Sequence, residues 1–128
     1  MIDHISICAR DLERAARFYE AVLATIGYKQ LLVRPGTVGF GKSYPEFWIN
    51  LRQDMTPIEG DSGSHVALRA STVAAVDAFH AAARAAGGQS DGAPGRRPQY
   101  GEAYYAAFIR DPDGNRIEAV TFLQAARG

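Results

Sequence analysis

The strongest constraint on this chain is that it repeats. Writing D-H-I-S-I-C-A-R-D-L-E-R-A-A-R-F-Y from Asp3 above S-H-V-A-L-R-A-S-T-V-A-A-V-D-A-F-H from Ser64 places His65 under His4, 61 positions later, without a gap. Ile5 and Ile7 fall on Val66 and Leu68, Leu12 on Val73, Phe18 on Phe79 and Gly27 on Gly88. Matches among alanines carry little weight in an alanine-rich chain; the histidine, phenylalanine and glycine matches carry more. A repeat of this period means two copies of one supersecondary unit, each about half the chain, stacked so that each covers part of the other.

Each copy opens with an alternating strand, residues 3–9 and 64–70, and continues into a helix. In the first copy Asp11 is a natural N-cap and Glu13 lies near the positive helix end. Leu12, Ala15, Ala16, Tyr19, Val22, Leu23 and Ile26 then recur with the spacing of one helical face, and Gly27 supplies the stop. In the second copy Ser71 or Thr72 caps, Val73, Val76, Phe79 and Ala83 face inward, and Gly87-Gly88 ends the helix. Three β-like runs follow the first helix: YKQLLVR, TVGFGK and EFWINL. After the second helix YYAAFIR and RIEAVTF are clear, and residues 88–90 offer a weak third. The stretch SDGAPGRRPQYGEA has no apolar period and is predicted to be a long loop, a common place for function. The pattern is α+β: one domain, residues 1–128, made of two βαβββ modules, residues 1–53 and 64–124, joined by a polar linker.

The rest of the composition narrows the function classes. Fourteen basic residues balance fourteen acidic ones, which argues against a nucleic-acid partner. No apolar run reaches the length of a membrane span, and MIDHISICARD has no basic then apolar leader pattern. Cys8 is the single cysteine, so no internal disulfide forms and residence in the cytoplasm is expected.

Near the end, RDPDGNRIEAV reads as a hairpin whose turn uses Asp-Gly, with Gly114 able to take positive φ. Glu118 then sits mid-strand between Ile117 and Ala119, where a carboxylate is costly unless something pairs with it. Two βαβββ modules with a histidine on each first strand, in DHISI and SHVAL, together with DPDGNRIEAV, resemble the vicinal oxygen chelate superfamily. This is the group of glyoxalase I, extradiol dioxygenases and the bleomycin- and fosfomycin-resistance proteins. The resemblance spans nearly the whole chain. It implies that the two modules curl into a half-open barrel, and that one divalent metal per site (zinc, nickel, manganese or iron(II)) sits inside, a position that some members leave empty.

Strand alternation puts His4, Ser6 and Cys8 on one face and Ile5 and Ile7 on the other; likewise His65, Ala67 and Arg69 oppose Val66 and Leu68. Carried over residue by residue, the family's ligands would be His4, His65 and Glu118. Aligning WINL with RIEAV sets Asn50 against Glu118, where glyoxalase I carries glutamate in both places. Two histidines and one carboxylate with open positions is also the facial arrangement of non-haem iron oxygenases. An amide is a poor ligand and a much weaker base, which argues against glyoxalase I proper. The resemblance thus implies a metal-dependent enzyme acting on a small molecule by chelating its oxygens: a lyase, isomerase, thiol transferase or dioxygenase. The alternative is a metal-independent sequestration protein of the bleomycin-resistance type.

Four residues are expected to bind substrate. Asn50 and Trp48 share the inward face of their strand, Tyr104 offers a phenol donor, and Arg69, beyond His65, could receive an anionic group. Arg96, Arg97 and Tyr100 lie in the predicted loop as a possible lid. Cys8 and His80 read as structural. Open sheet edges and the habit of the superfamily predict a homodimer, with the barrel formed either within one chain or by modules exchanged between chains.

Overall fold

The computed structural model describes residues 1–124. Two helices and eight strands run in the order β1 (Ile5–Ala9), α1 (Leu12–Ala24), β2 (Lys29–Arg34), β3 (Thr37–Gly41), β4 (Phe47–Leu51), β5 (Val66–Arg69), α2 (Val73–Ala85), β6 (Gln89–Arg96), β7 (Tyr104–Arg110) and β8 (Arg116–Phe122), with a 3-10 turn at Pro98–Tyr100. They form two four-stranded sheets of identical topology, β1-β4-β3-β2 and β5-β8-β7-β6. Within each, the first strand pairs in parallel with the fourth and the other pairs are antiparallel. The sheets do not close on each other, which leaves the two modules that the repeat predicts in the half-open arrangement that the resemblance implies.

Local chemistry explains the elements. Asp11 accepts from the Arg14 amide at 3.0 Å and Thr72 from the Ala75 amide at 3.0 Å, so each helix begins on a side-chain cap. Gly27 ends the first helical segment at φ 87°, where a side chain would be strained. One face of α1 (Ala15, Phe18, Tyr19, Val22 and Leu23) is fully buried, as are Val76, Phe79 and Ala83 of α2. The apolar rows of β1 and β5, Ile5, Ile7 and Val66, pack against this core. Burial of each such large side chain contributes about 1.5–3 kcal/mol. Ser6 and Cys8 are consequently turned away from the helices.

The turn RDPDGN does more than reverse the chain. Asp111 accepts from the amides of Asp113 and Asn115 at 3.0 and 2.8 Å, and from the Tyr19 hydroxyl of α1 at 2.6 Å. Asp113 accepts from the Arg10 amide at 3.1 Å and from the Arg10 and Arg14 guanidiniums, both at 3.3 Å. Asn115 donates to the carbonyl of Cys8 at 2.9 Å. With α1 packed on α2, this turn ties the second module to the first.

One expectation fails. Much of the stretch predicted as a long loop is strand β6, which pairs with β7 through two register irregularities, at Ser90/Gly92 and Gly92/Gly95. An edge strand tolerates Pro94 and glycines at bulges, and such a strand carries no apolar period to read. Gly92 lets the strand pass close to Phe108: a Cβ there would lie 3.0 Å from the ring.

Candidate functional site

Glu118 lies in the middle of β8, facing Ala67 of β5 and Phe108 of β7, and is 2% exposed. The two neighbouring strands deliver its partners. His65, immediately before β5, places Nε2 3.1 Å from Oε1. Tyr104, at the head of β7, donates a short hydrogen bond to Oε2. The Tyr104 phenol is pushed up to about 12, by burial first and then by the bond and charge of Glu118, so at neutral pH it keeps its proton and serves as a donor. Neither Arg69 nor Arg116 pairs with Glu118; Arg116 instead holds Asp91, at 3.0 Å.

These groups open on a cleft of about 470 Å³, walled by Tyr100, Tyr104 and Phe108 with Asp91 and Glu118 as its acids. Tyr100 stands on the 3-10 turn with its ring 5.4 Å from that of Tyr104, and Arg97 lies 5.4 Å from the Phe108 ring. A second cleft, of about 460 Å³, adjoins on the side of the first module and takes in Cys8, Asn50, Arg52 and Asn115. The two share Ser64, His65, Arg116 and Ile117, so His65 stands at their boundary.

The structure brings His65, Glu118 and Tyr104 together and leaves other predicted site residues elsewhere. His4 precedes β1, is exposed, and sets Nδ1 2.7 Å from Asp3; it lines neither cleft. Arg69 lies over the Phe122 ring at 4.5 Å and lines neither cleft. Trp48 stays on its sheet, with the Arg34 guanidinium 5.9 Å from its ring, and also lines neither. Asn50 reaches the second cleft, tethered by the Thr37 hydroxyl at 2.7 Å.

The strand register corrects the pairing of Asn50 with Glu118. Ser6 faces Trp48 across β1 and β4, whereas Ala67 faces Glu118 across β5 and β8. Ser6 and Ala67 are repeat partners, so Trp48 is the counterpart of Glu118. Matching Ile49 to Ile117 slipped the strand by two residues, an error that preserves the face and so escapes any test based on alternation. Arg52, on the Asn50 face, is the site residue that sequence reasoning missed; the i, i+2 rule applied one step past the strand end would have found it.

The chain matches the family model of the glyoxalase/bleomycin resistance protein/dioxygenase superfamily over residues 1–119. It belongs to that superfamily. A glyoxalase/bleomycin resistance protein from Albidiferax ferrireducens T118 is 32% identical, with 92% of this chain and 96% of that one covered and a TM-score of 0.82. A family enzyme from Burkholderia phytofirmans PsJN (20% identity, 95% and 98% covered, TM-score 0.71) and TioX from Micromonospora sp. ML1 (17%, 95% and 96%, 0.65) share the fold. No curated protein matches.

Resemblance to metal-bearing members of the superfamily raises the question of whether these residues suit a divalent ion. An imidazole nitrogen and a buried carboxylate 3.1 Å apart suit two ligand positions. A third is lacking within one chain: among the described residues no three His, Cys, Asp or Glu side chains converge. In this superfamily member His65 and Glu118 are thus two side chains of suitable chemistry, without a third beside them among the described residues.

Proposed function

We propose that this chain is a small-molecule enzyme working in the Glu118 cleft, with His65 and Glu118 as metal ligands from one chain and His4 of a second copy as the third. The observation that carries the reading is the Glu118 carboxylate, almost wholly buried mid-strand, with an imidazole and a phenol on its two oxygens and a cleft beside it. Packing alone asks for no charge in that row, since an apolar residue would fill it at lower cost. Tyr104 keeps its proton and can turn it toward a ligand oxygen, while Tyr100 and Phe108 give the cleft aromatic walls. When bound, the ion would act as a Lewis acid on a substrate oxygen. Because Trp48 stands where a second carboxylate would be, the reading favours oxygen chelation by a lyase, isomerase, thiol transferase or dioxygenase over glyoxalase I chemistry. The aromatic walls favour one second reading, sequestration of a planar compound.

The same reading takes the protein as a cytoplasmic homodimer. Exposed Ile2, Val33, Tyr44 and Phe122 supply apolar contacts for a two-fold pair. Elemental analysis with light scattering tests the whole. The expected result is one ion per chain at twice the chain mass of 13.8 kDa, with occupancy lost in both His65→Ala and His4→Ala. A metal-free dimer that binds planar compounds would replace the enzyme by the sequestration reading. A monomer that keeps its ion would remove His4 from the ligand set.

A further inference from the structure

The cleft on the first-module side of His65 has a charge pattern of its own. Its lining holds two arginines, Arg52 and Arg116, and no Asp or Glu. The Arg52 guanidinium donates to the carbonyl of Leu51 at 2.8 Å and has no carboxylate within 4 Å among the described residues. Arg116 commits Nε to Asp91 at 3.0 Å, while Nη1 is 3.9 Å from the largely exposed Asp61. The hydroxyls of Ser62 and Ser64 and the Asn50 amide add neutral polar groups, and Ile7, Val66 and Ile117 form an apolar floor. The compartment beyond His65 shares Arg116 but adds two acids, Asp91, paired with Arg116 at 3.0 Å, and Glu118.

We infer that Arg52 and Arg116 form an anion-binding compartment, and that the natural ligand is an organic anion whose carboxylate or phosphate lies there. Its less polar end extends past His65 to Phe108 and Tyr104. A guanidinium presents paired N–H donors that match carboxylate and phosphate oxygens, and an uncompensated one beside an apolar floor suits an anion attached to carbon. This inference rests on the Glu118 cleft as the working site and adds the class of substrate. It also replaces Arg69 by Arg52 as the residue that receives the charge.

The test is a titration of the full chain with inorganic phosphate, and separately with benzoate, at constant ionic strength, followed by amide shifts in nitrogen-15 NMR spectra. Saturable shifts at Arg52, Ser64 and Arg116 are expected with both probes, and Arg52→Gln should weaken binding at least fivefold at unchanged melting temperature. Arg96→Gln, outside both clefts, should leave it unchanged. Benzoate should in addition shift Phe108 or Tyr104. Shifts that do not saturate, that cluster around Arg96 and Arg97, or that survive Arg52→Gln would overturn the inference. Phosphate binding that persists in Glu118→Gln while metal is lost separates this compartment from the metal reading, so either fails on its own measurement.

Discussion

The bond from Tyr104 to Glu118 can be weighed by a double-mutant cycle. Glu118→Gln keeps the shape of the side chain and replaces an ionised acceptor by a neutral one; Tyr104→Phe removes the donor. A hydrogen bond to a charged partner contributes about 1.5–3 kcal/mol net, and a neutral one about 0.5–1.5 kcal/mol. The tyrosine can still bond to the glutamine in the single variant, so the cycle reads the difference, about 1–1.5 kcal/mol, or roughly a 5- to 13-fold change in the folding equilibrium. Urea denaturation of the wild type, both single variants and the double variant at pH 7 measures it. Tyr105 supplies the control: its hydroxyl goes to Asp77 of α2 at 2.7 Å, so Tyr105→Phe and Glu118→Gln should add. If the Tyr104 pair also adds within about 0.3–0.5 kcal/mol, the limit for independent sites, Tyr104 does not hold the Glu118 carboxylate and the site loses one of its members.

Two further outcomes follow, one from the turn outside the cleft and one from Tyr104 within it. Asp113→Ala should cost about 2–3 kcal/mol, below the usual loss for a broken buried pair because the arginine partners are partly exposed. By calorimetry that is about 7–11 °C in Tm for a chain of this length, and an unchanged Tm would show that the turn does not join the modules. Stability should also fall as pH rises above 10. Tyr104, raised to about 12, keeps its proton in the folded state after the unfolded chain has lost it, so the unfolded state binds fewer protons there and the slope is negative. Tyr104→Phe should make this alkaline fall shallower, and an identical profile for the variant would refute the shift.

The sequence made the architecture legible because the repeat carries its own internal check: caps and apolar faces recur 61 positions apart. His65 and Glu118 were legible through the family resemblance, and Tyr104 as a phenol on a regular strand. What failed was of two kinds. Strand β6 was hidden because an edge strand built from glycine, proline and short polar residues has neither alternation nor bulk. The slip at Asn50 arose because alternation fixes which face a residue occupies and says nothing of how far along the sheet it lies or what stands opposite; for the same reason it does not foretell that His4, Trp48 and Arg69 line neither cleft of one chain. Arg52 was missed because it stands one step past the end of β4, where the alternation was not carried on.

The turn at residues 111–115 also bears on how the chain is made. Tyr19 is fully buried, and the acceptor for its hydroxyl, Asp111, lies 92 residues downstream; Arg10 finds Asp113 103 residues away. During synthesis the first half leaves the ribosome long before these partners exist, and a buried hydroxyl without an acceptor costs free energy. The first module therefore has reason to stay loosely packed around Tyr19 until the hairpin at residues 111–115 arrives, so that closure waits on the second module. Translation pauses before residue 111 would prolong the exposure of the α1 face, and those are the chains on which a chaperone has most to hold.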